Sequence, residues 1–163
     1  IVIRHAKSSW DSPGLADRDR PLNRRGERDA PFMGRMLKSR GLIPDRIVCS
    51  PALRAVMTAN LLAEAVDLGL EGIEIRRELY EQGLAGLMTV IHRFDQRWSC
   101  VYLVGHNPDL AQLISRLTGE PLAHLPTCGL ACLEFAIDDW AHLMEGGAAL
   151  RLFDYPKRYA NKA

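Results

Sequence analysis

Two histidines and two arginines follow short apolar segments of the chain. Arg4 and His5 end the first of these segments, Arg54 comes shortly after the second, and His106 comes after a later one. A neutral imidazole can act as a nucleophile, and a guanidinium binds phosphate oxygens in a planar, two-point geometry. If the fold brings these four side chains together, they form an anion site of about the size of a phosphate group.

The hydrophobic pattern predicts the elements that would position these residues. Short β-branched or apolar runs predict strands, and apolar residues at helical spacing predict helices. The predicted strands cover residues 1–3, 47–49, 73–75, 100–104, 130–137 and 148–153, and the predicted helices cover residues 24–41, 50–67, 86–97 and 107–119. Strands that alternate with helices favour right-handed crossovers and a mostly parallel sheet with helices on both faces. We therefore expect one α/β domain over residues 1–163, a three-layer α/β/α sandwich.

The strand ends are the natural place for a ligand in such a fold. Parallel strands end at one common edge of the sheet, and ligands bind in the crevice beyond that edge. Two of the strand ends run into dipeptides typical of a helix start, Ser50-Pro51 and Asn107-Pro108, in which Ser50 and Asn107 are predicted to be the N-caps. The free N–H groups and the dipole of a helix N-terminus favour an anion. The sequence therefore predicts an anion site at this edge.

Each of these residues also has a plainer interpretation. A histidine at a strand end is more often solvated or hydrogen-bonded, and Arg4 and Arg54 could be surface ion-pair residues worth about 0–1 kcal/mol each. Histidine is also a common metal ligand. Two flanking arginines would repel a cation, however, and no carboxylate obviously joins the two histidines. We therefore expect no metal and no other cofactor.

The composition disfavours several other classes of function. The formal net charge is +1, which gives no general surface for a polyanion, so we expect no nucleic-acid partner. The longest apolar runs fall far short of the ~20 residues that span a bilayer, so we expect no membrane role. The four cysteines include no CxxC pair. Three of them lie in or beside apolar stretches, which favours buried, reduced thiols and a cytoplasmic location.

Four segments carry a resemblance to a known family. The segment 4–11, RHAKSSWD, resembles the signature of the histidine phosphatase superfamily, the phosphoglycerate mutase-like enzymes, whose usual form is Arg-His-Gly. The segment 50–54 resembles the second arginine motif of that family, and the segment 105–106 resembles its second histidine motif. The segment 19–26 resembles the stretch after the first motif. The short length, without a large inserted cap, resembles the SixA-type phosphohistidine phosphatases more than the mutases.

Two positions depart from the usual pattern of the family. Ala6 stands where glycine is common, which is tolerable if the backbone there has a negative φ. Asp11 stands where many mutase-like members carry an asparagine that contacts substrate. Because a carboxylate repels phosphate, we assign no binding role to Asp11.

The resemblance implies a phosphoglycerate mutase-like fold and a metal-independent phosphatase. It implies that His5 attacks phosphorus in line and forms a covalent phosphohistidine, which water then hydrolyses. It also implies that Arg4, Arg54 and His106 bind the substrate phosphate and stabilise the charge on its oxygens. Ser8 is a further candidate for a phosphate contact.

The general acid stays open at this point. Mutase-like relatives use an acidic residue to protonate an alkoxide leaving group, and the candidates here are Glu81, Asp17 and Asp19. Glu81 follows the third predicted strand, although an exposed charge on a loop is an equally good interpretation. An imidazole leaving group, whose conjugate acid has a pKa of about 6.5, departs with little help. A weak or missing acid therefore favours a phosphohistidine substrate.

Three functions follow from these residues. The first is a phosphatase that acts on phosphohistidine in a carrier or phosphotransfer protein. The second is a phosphatase of a small phosphorylated metabolite. The third is a non-catalytic module that only binds phosphate; an intact His5 and His106 argue against it, because pure binding needs no nucleophile.

Overall fold

The chain forms a six-stranded sheet with helices on both faces, and a computed structural model describes residues 1–160. The strands are β1 (Val2–Arg4), β2 (Arg46–Cys49), β3 (Ile73–Ile75), β4 (Val101–Gly105), β5 (Leu130–Phe135) and β6 (Ala148–Asp154). The helices are α1 (Arg24–Ser39), α2 (Leu53–Ala65), α3 (Glu78–Glu81), α4 (Gly83–Ile91) and α5 (Asp109–Thr118).

The order of the strands places three of their carboxyl ends side by side. The sheet runs β3-β2-β4-β1-β5-β6, in which the first four strands are parallel and the last two are antiparallel to their neighbours. Val2 pairs with Leu103, and Cys49 pairs with Val104, so that β2, β4 and β1 end at nearly the same level. The predicted mostly parallel sheet is confirmed.

Two apolar layers cover the two faces of this sheet. Alternate residues of a strand point to opposite faces, so that Ile3 and Ile47 pack with the buried side of α1 and α2. Their neighbours Val2 and Val48 pack instead with α4 and α5. Burial of each large side chain in such a layer stabilises the fold by about 1.5–3 kcal/mol. The predicted three-layer α/β/α architecture is confirmed.

The first helix shows how the sequence sets the ends of an element. The Asn23 side chain accepts a hydrogen bond from the Gly26 amide at 3.0 Å and caps the N-terminus of α1. Gly41 adopts a left-handed φ of 71°, and its amide donates to the Lys38 oxygen. A left-handed glycine commonly ends a helix, as the sequence predicted here.

The helix predicted over residues 86–97 is wrong in its bounds. The chain instead forms the short α3, turns at Gly83, whose φ is 56°, and forms α4 up to Ile91. The glycine permits this turn without steric cost. After Ile91 the amides of Arg93 and Phe94 bond to oxygens only three residues back, which tightens the chain and ends the helix.

Within residues 1–160, none of the helices has both the length and the apolar character that crossing a bilayer demands.

All four cysteines are free thiols, and Cys49 and Cys128 are buried. Burial raises the pKa of the Cys49 thiol to about 12, so this group stays protonated and unreactive.

Candidate active site

The structure brings the two histidines and Arg54 into contact at the carboxyl edge of the sheet. His5 follows β1 and His106 follows β4, and these strands are neighbours in the sheet. The ring centroids of the two histidines lie 5.1 Å apart. Arg54, in the first turn of α2, places its Nε 3.4 Å from the Nε2 of His5.

His5 is held as a neutral ring whose Nε2 carries the lone pair, and the Nε of Arg54 donates to that lone pair at 3.4 Å. Its Nδ1 lies 2.7 Å from the backbone oxygen of Ala6, which can only accept, so Nδ1 carries the proton and Nε2 carries the lone pair. The side chain is buried, and this burial lowers the pKa of His5 to about 3. The positive charges of Arg54 and Arg4 act in the same direction, while the hydrogen bond to Ala6 opposes them. At neutral pH the unprotonated Nε2 can therefore attack an electrophile.

Thr58 ties the first motif to the helix that carries Arg54. Its Oγ1 accepts a hydrogen bond from the Ala6 amide at 3.0 Å and donates to the Arg54 oxygen at 2.6 Å. Ala6 and Thr58 are completely buried. Among residues 1–160, the non-glycine residues with a left-handed φ are Asp67 and Cys128, so Ala6 has the negative φ that an alanine needs.

Arg54 directs most of its donors at Asp17. Its Nη1 donates to the backbone oxygen of Asp17 at 2.6 Å, and its Nη2 donates to the Oδ2 of the same residue at 2.9 Å. Asp17 lies in a short 3-10 turn of the loop that follows the first motif. The loop thereby bends back over the strand ends and brings a carboxylate to the arginine.

Asp17 is held as a carboxylate by three donors. Besides Arg54, the Tyr80 hydroxyl donates to its Oδ2 at 3.1 Å and Arg20 donates to its Oδ1 at 2.9 Å. Burial alone raises the pKa of the Asp17 carboxyl, but the hydrogen bonds from Arg54, Tyr80 and Arg20 outweigh burial and lower it below its usual value. The group is therefore ionised at neutral pH.

Arg20 also stabilises this loop, through hydrogen bonds to residues of the first motif. It donates from Nη2 to the Ser8 hydroxyl at 2.6 Å and from Nε to the Ser9 oxygen at 3.1 Å. Its guanidinium carbon lies 3.3 Å from the ring centroid of Trp10, a side chain that is 72% exposed. The hydroxyl of the predicted phosphate contact Ser8 is thus engaged with Arg20 in this structure.

His106 is the second neutral imidazole of the site. Its Nε2 lies 2.7 Å from the Ser50 hydroxyl, and the edge of the Tyr80 ring packs against it at a centroid distance of 5.5 Å. Burial lowers the pKa of His106 to about 4, as do the charges of Arg54 and Arg4, against the opposite effect of Asp17.

The prediction that Ser50 caps a helix is wrong. Helix α2 begins at Leu53 with Ala52 as its N-cap, and the Ser50 hydroxyl accepts from the Ala52 amide at 3.2 Å. A serine bonded two residues ahead forms a local turn that delays the helix. This turn directs the hydroxyl towards His106.

Arg4 and Asn107 fasten a later loop to the site. Arg4 donates from Nη1 to the Leu125 oxygen at 3.0 Å, and the Asn107 side chain donates to the same oxygen at 2.8 Å. His124 lies 3.1 Å from the Nη1 of Arg4. Asn107 was predicted to cap a helix, which is wrong, since α5 begins at Asp109 and the amide bonds to this loop instead.

The candidate acids Asp17, Asp19 and Glu81 differ in their hydrogen bonds. All three are exposed, but only Asp17 is bonded to Arg54 among the described residues. In the described part of the chain no hydrogen bond or ion pair involves the Glu81 carboxylate, although its neighbour Tyr80 reaches Asp17. The structure therefore brings Asp17, but not Glu81, into the hydrogen-bonded cluster around Arg54.

Sequence reasoning gave no role to several residues of this site. Thr58 could have been found, because it lies four residues after Arg54 and so on the same face of the helix. Arg20 lies in the stretch after the first motif, and its own role was not foreseen. For Tyr80 no local pattern signals its position, since a loop and a short helix bring its hydroxyl to Asp17.

The site combines a nucleophile with groups that attract an anion. Arg4, Arg54 and the helix that begins at Leu53 supply positive potential beside the unprotonated Nε2 of His5. Positively charged and N–H groups that are already in place stabilise the charge that develops during phosphoryl transfer. The arrangement suits in-line attack on a phosphate.

Comparisons with known proteins agree with this chemistry. Residues 1–88 match the family described as the histidine phosphatase superfamily (branch 1). A Mycobacterium tuberculosis (strain H37Rv) protein of uncharacterised function is 33% identical over 95% of this chain and 100% of its own length. A chloroplast protein of Arabidopsis thaliana, also uncharacterised, is 32% identical over 86% of this chain and 67% of its own length.

Solved structures resemble most of the chain. A protein from Agrobacterium tumefaciens assigned as the phosphohistidine phosphatase SixA superposes with a TM-score of 0.79 at 28% identity, over 95% of this chain and 96% of that one. The protein histidine phosphatase SixA in complex with tungstate superposes with a TM-score of 0.77 at 22% identity, over 96% of both chains. The second likeness concerns the fold alone.

Proposed function

Because the chain belongs to the histidine phosphatase superfamily (branch 1), we propose that it hydrolyses phosphohistidine in a protein through a covalent phosphohistidine on His5. Phosphatase activity as such is supported by the family and by the SixA-type structure that shares 28% of its sequence. The observation that carries the proposal is the state of His5, a buried neutral ring whose Nδ1 proton is bound and whose unprotonated Nε2 lies 3.4 Å from the Nε of Arg54.

The proposed reaction has two steps. The Nε2 of His5 attacks phosphorus, a nitrogen–phosphorus bond forms, and the bond from phosphorus to the substrate imidazole breaks. The substrate ring, protonated on its other nitrogen, leaves with the electron pair of the broken bond as a neutral imidazole. Water then attacks the phosphorus of phospho-His5, which releases inorganic phosphate and restores the free ring. In both steps Arg4, Arg54 and His106 stabilise the negative charge on the non-bridging phosphate oxygens. By analogy with oxyanion-hole donors, each of them stabilises the transition state by about 3 kcal/mol.

We propose that no metal ion is needed. In many phosphoryl-transfer enzymes a metal neutralises the phosphate oxygens, whereas here the guanidinium groups of Arg4 and Arg54 can supply that charge. Activity that persists after treatment with a chelator supports this part of the proposal, and activity that returns only with an added divalent ion contradicts it.

The state of Asp17 supports phosphohistidine over an ester as substrate. An alkoxide leaving group needs a proton from an acid, while an imidazole with a conjugate-acid pKa of about 6.5 leaves with little help. The carboxyl bonded to Arg54 has a lowered pKa and is ionised, so it is a poor proton donor in this state. Glu81 is exposed and outside the hydrogen-bonded cluster, and we assign it no more than a secondary role.

The exposed side chains of the loop that carries Asp17 support a protein as the carrier of the phosphohistidine. Trp10 is 72% exposed and held flat on Arg20, and Leu15, in the same loop, is 44% exposed. Large apolar side chains on the surface beside a site suit contact with another protein. A protein substrate would pack against Trp10 while its phosphohistidine reaches His5.

The free cysteines are the observation behind the proposed location. All four thiols are unpaired, and burial raises the pKa values of Cys49, Cys100 and Cys128. Unpaired thiols are usual in the reducing cytoplasm. We propose the cytoplasm as the location of the protein.

A phosphatase of a small phosphorylated metabolite is the second candidate, and one contact favours it. Substrate phosphate that takes the donors of Arg54 would free the Asp17 carboxylate from its main partner. A negative phosphate beside it would then raise the pKa of Asp17, which would make the group a proton donor. Rapid hydrolysis of esters that depends on Asp17 would support this candidate.

One experiment separates these functions. The wild type and His5→Ala are incubated with a histidine-phosphorylated carrier protein and with a panel of phosphomonoesters, and phosphate release is measured. We expect rapid release from the carrier by the wild type and none by His5→Ala. His142→Ala, which removes an exposed histidine beside Asp138, is the matched control and should behave as the wild type.

The outcomes decide between the candidates. Release from esters alone overturns the phosphohistidine proposal, and phosphate binding without any release favours a non-catalytic module. Rapid quench with a radiolabelled substrate should show acid-labile, alkali-stable label on the wild type, and its absence contradicts covalent catalysis by His5. Trp10→Ala should raise KM for the carrier and leave small substrates unaffected.

A further inference from the structure

The contact between Ser50 and His106 determines which nitrogen of His106 carries its proton. Ser50 follows β2 and His106 follows the neighbouring β4, and Ser50 is completely buried. The distance of 2.7 Å between Ser50 Oγ and His106 Nε2 is that of a good hydrogen bond. Two arrangements are possible, since either the hydroxyl or the ring nitrogen can donate.

Counting donors and acceptors decides between the two arrangements. The Ser50 hydroxyl already accepts from the Ala52 amide at 3.2 Å. If His106 also donated to it, the Ser50 proton would have no acceptor among the described hydrogen bonds, which is costly for a buried hydroxyl. If Ser50 donates to Nε2 instead, both of its bonds are satisfied, and the ring proton lies on Nδ1.

The Nδ1 atom itself points to the same arrangement. It is buried and has no hydrogen-bond partner within residues 1–160. His106 lies close enough to Arg54 and Arg4 that both of their charges lower its pKa, and its ring is 5.1 Å from that of His5. A bare lone pair at this place would repel phosphate oxygens, whereas an N–H group would donate to one of them.

We propose that Ser50 is a positioning residue that fixes His106 as the Nδ1–H tautomer, so that this N–H donates to a substrate phosphate oxygen. The inference rests on the proposed phosphatase function for its catalytic consequence. The tautomer itself is a property of the free protein and does not depend on which substrate is used.

The test is the tautomer of His106 measured by NMR. In ¹⁵N-histidine-labelled protein at pH 7, we expect a protonated Nδ1 and an unprotonated Nε2 for His106, with the resonances assigned by their loss in His106→Gln. In Ser50→Ala the hydroxyl donor is gone, and we expect a shift towards the Nε2–H form. Ser50→Thr keeps the hydroxyl and is the conservative variant, which should keep the wild-type tautomer.

Binding of inorganic phosphate provides a second readout. Loss of one hydrogen bond to a charged group should weaken phosphate binding about ten- to a hundredfold in Ser50→Ala, without a comparable change in Ser50→Thr. Should Ser50→Thr fail to fold, the comparison of Ser50→Ala with the wild type still decides, because alanine fits the space of serine.

Clear results would overturn the proposal. A wild-type His106 with its proton on Nε2, or a Ser50→Ala protein with an unchanged tautomer, removes the role of Ser50. If the tautomer is as expected but the protein releases phosphate from no substrate, the proposed function fails while the assignment of the tautomer stands. The two failures are therefore distinguishable.

Discussion

Arg54 and Asp17 are joined by two hydrogen bonds, from Nη1 to the backbone oxygen of Asp17 at 2.6 Å and from Nη2 to its Oδ2 at 2.9 Å. An arginine that binds phosphate would use these same donors. In the proposed reaction, substrate phosphate and the Asp17 carboxylate would therefore compete for Arg54, and the carboxylate would also repel the incoming dianion.

Asp17→Asn should tighten the binding of inorganic phosphate. The amide oxygen can still accept from Arg54 and Tyr80, but the negative charge is gone, and we expect an inhibition constant about five- to tenfold lower, which is ~1 kcal/mol. Competitive inhibition by phosphate measures it. Asp19→Asn, two residues away and exposed, is the control that removes the same charge. Unchanged or weaker phosphate binding in Asp17→Asn would show that phosphate and the Asp17 carboxylate do not compete for Arg54.

Thr58→Val should loosen the first motif. The substitution keeps the shape of the side chain but leaves the buried Ala6 amide without its acceptor, so we expect the free energy of unfolding to fall by about 1–3 kcal/mol. We also expect kcat for phosphate release to fall, because the oxygen of Ala6 holds the His5 ring. Urea denaturation and steady-state kinetics measure these effects.

Thr58→Ser is the matched control for this prediction, since it retains the hydroxyl. It should keep most of the activity and lose only the stability that corresponds to one buried methyl group. Equal losses of kcat in the valine and serine variants would show that packing, rather than the hydrogen bond, positions the motif.

Gly26→Ala should destabilise the protein although alanine normally favours a helix by about 1 kcal/mol. A Cβ at this position would lie 2.3 Å from the backbone oxygen of Lys7, in the first motif. Either the helix or the motif must move, and we expect a loss of about 1–3 kcal/mol in thermal or chemical denaturation. Gly14→Ala, where an added Cβ meets nothing within 4 Å, should change stability little. A Gly26→Ala protein as stable as the wild type would contradict the close approach.

The sequence predicts the frame of this site better than its contacts. The parallel strands and their ends follow from apolar runs such as that of β4, so the meeting of His5 and His106 is foreseeable. Serine is a common helix N-cap, and sequence alone does not reveal that the Ser50 hydroxyl bonds to His106 instead. That bond depends on how far the turn at Ala52 delays the helix.

The loop after the first motif is the part that sequence reasoning could not resolve. Asp17, Asp19 and Glu81 are all plausible acids from their places in the chain. The path of the loop brings both the backbone oxygen and the carboxylate of Asp17 to Arg54, and this path is not visible in the sequence. Loops lack the hydrophobic periodicity from which strands and helices are predicted.

Acid should destabilise the folded protein through His5 and His106. The pKa values of His5 and His106 are lowered to about 3 and about 4, whereas those of histidines in the unfolded chain are about 6.5. Below pH 6.5 the unfolded state therefore binds more protons than the native state, and the free energy of unfolding falls as the pH falls. Between pH 7 and pH 5 each histidine should account for a loss of about 2 kcal/mol.

His5→Gln isolates the share of one of these histidines. Urea denaturation at pH 7 and at pH 5 should show a loss of stability about 2 kcal/mol smaller in His5→Gln than in the wild type. The comparison uses the difference between the two pH values, so a general effect of the substitution on stability cancels. His142→Gln, at an exposed histidine, should show the same loss as the wild type. If His5→Gln also loses as much as the wild type, the surroundings of His5 do not keep it neutral, which contradicts an unprotonated Nε2 as the nucleophile.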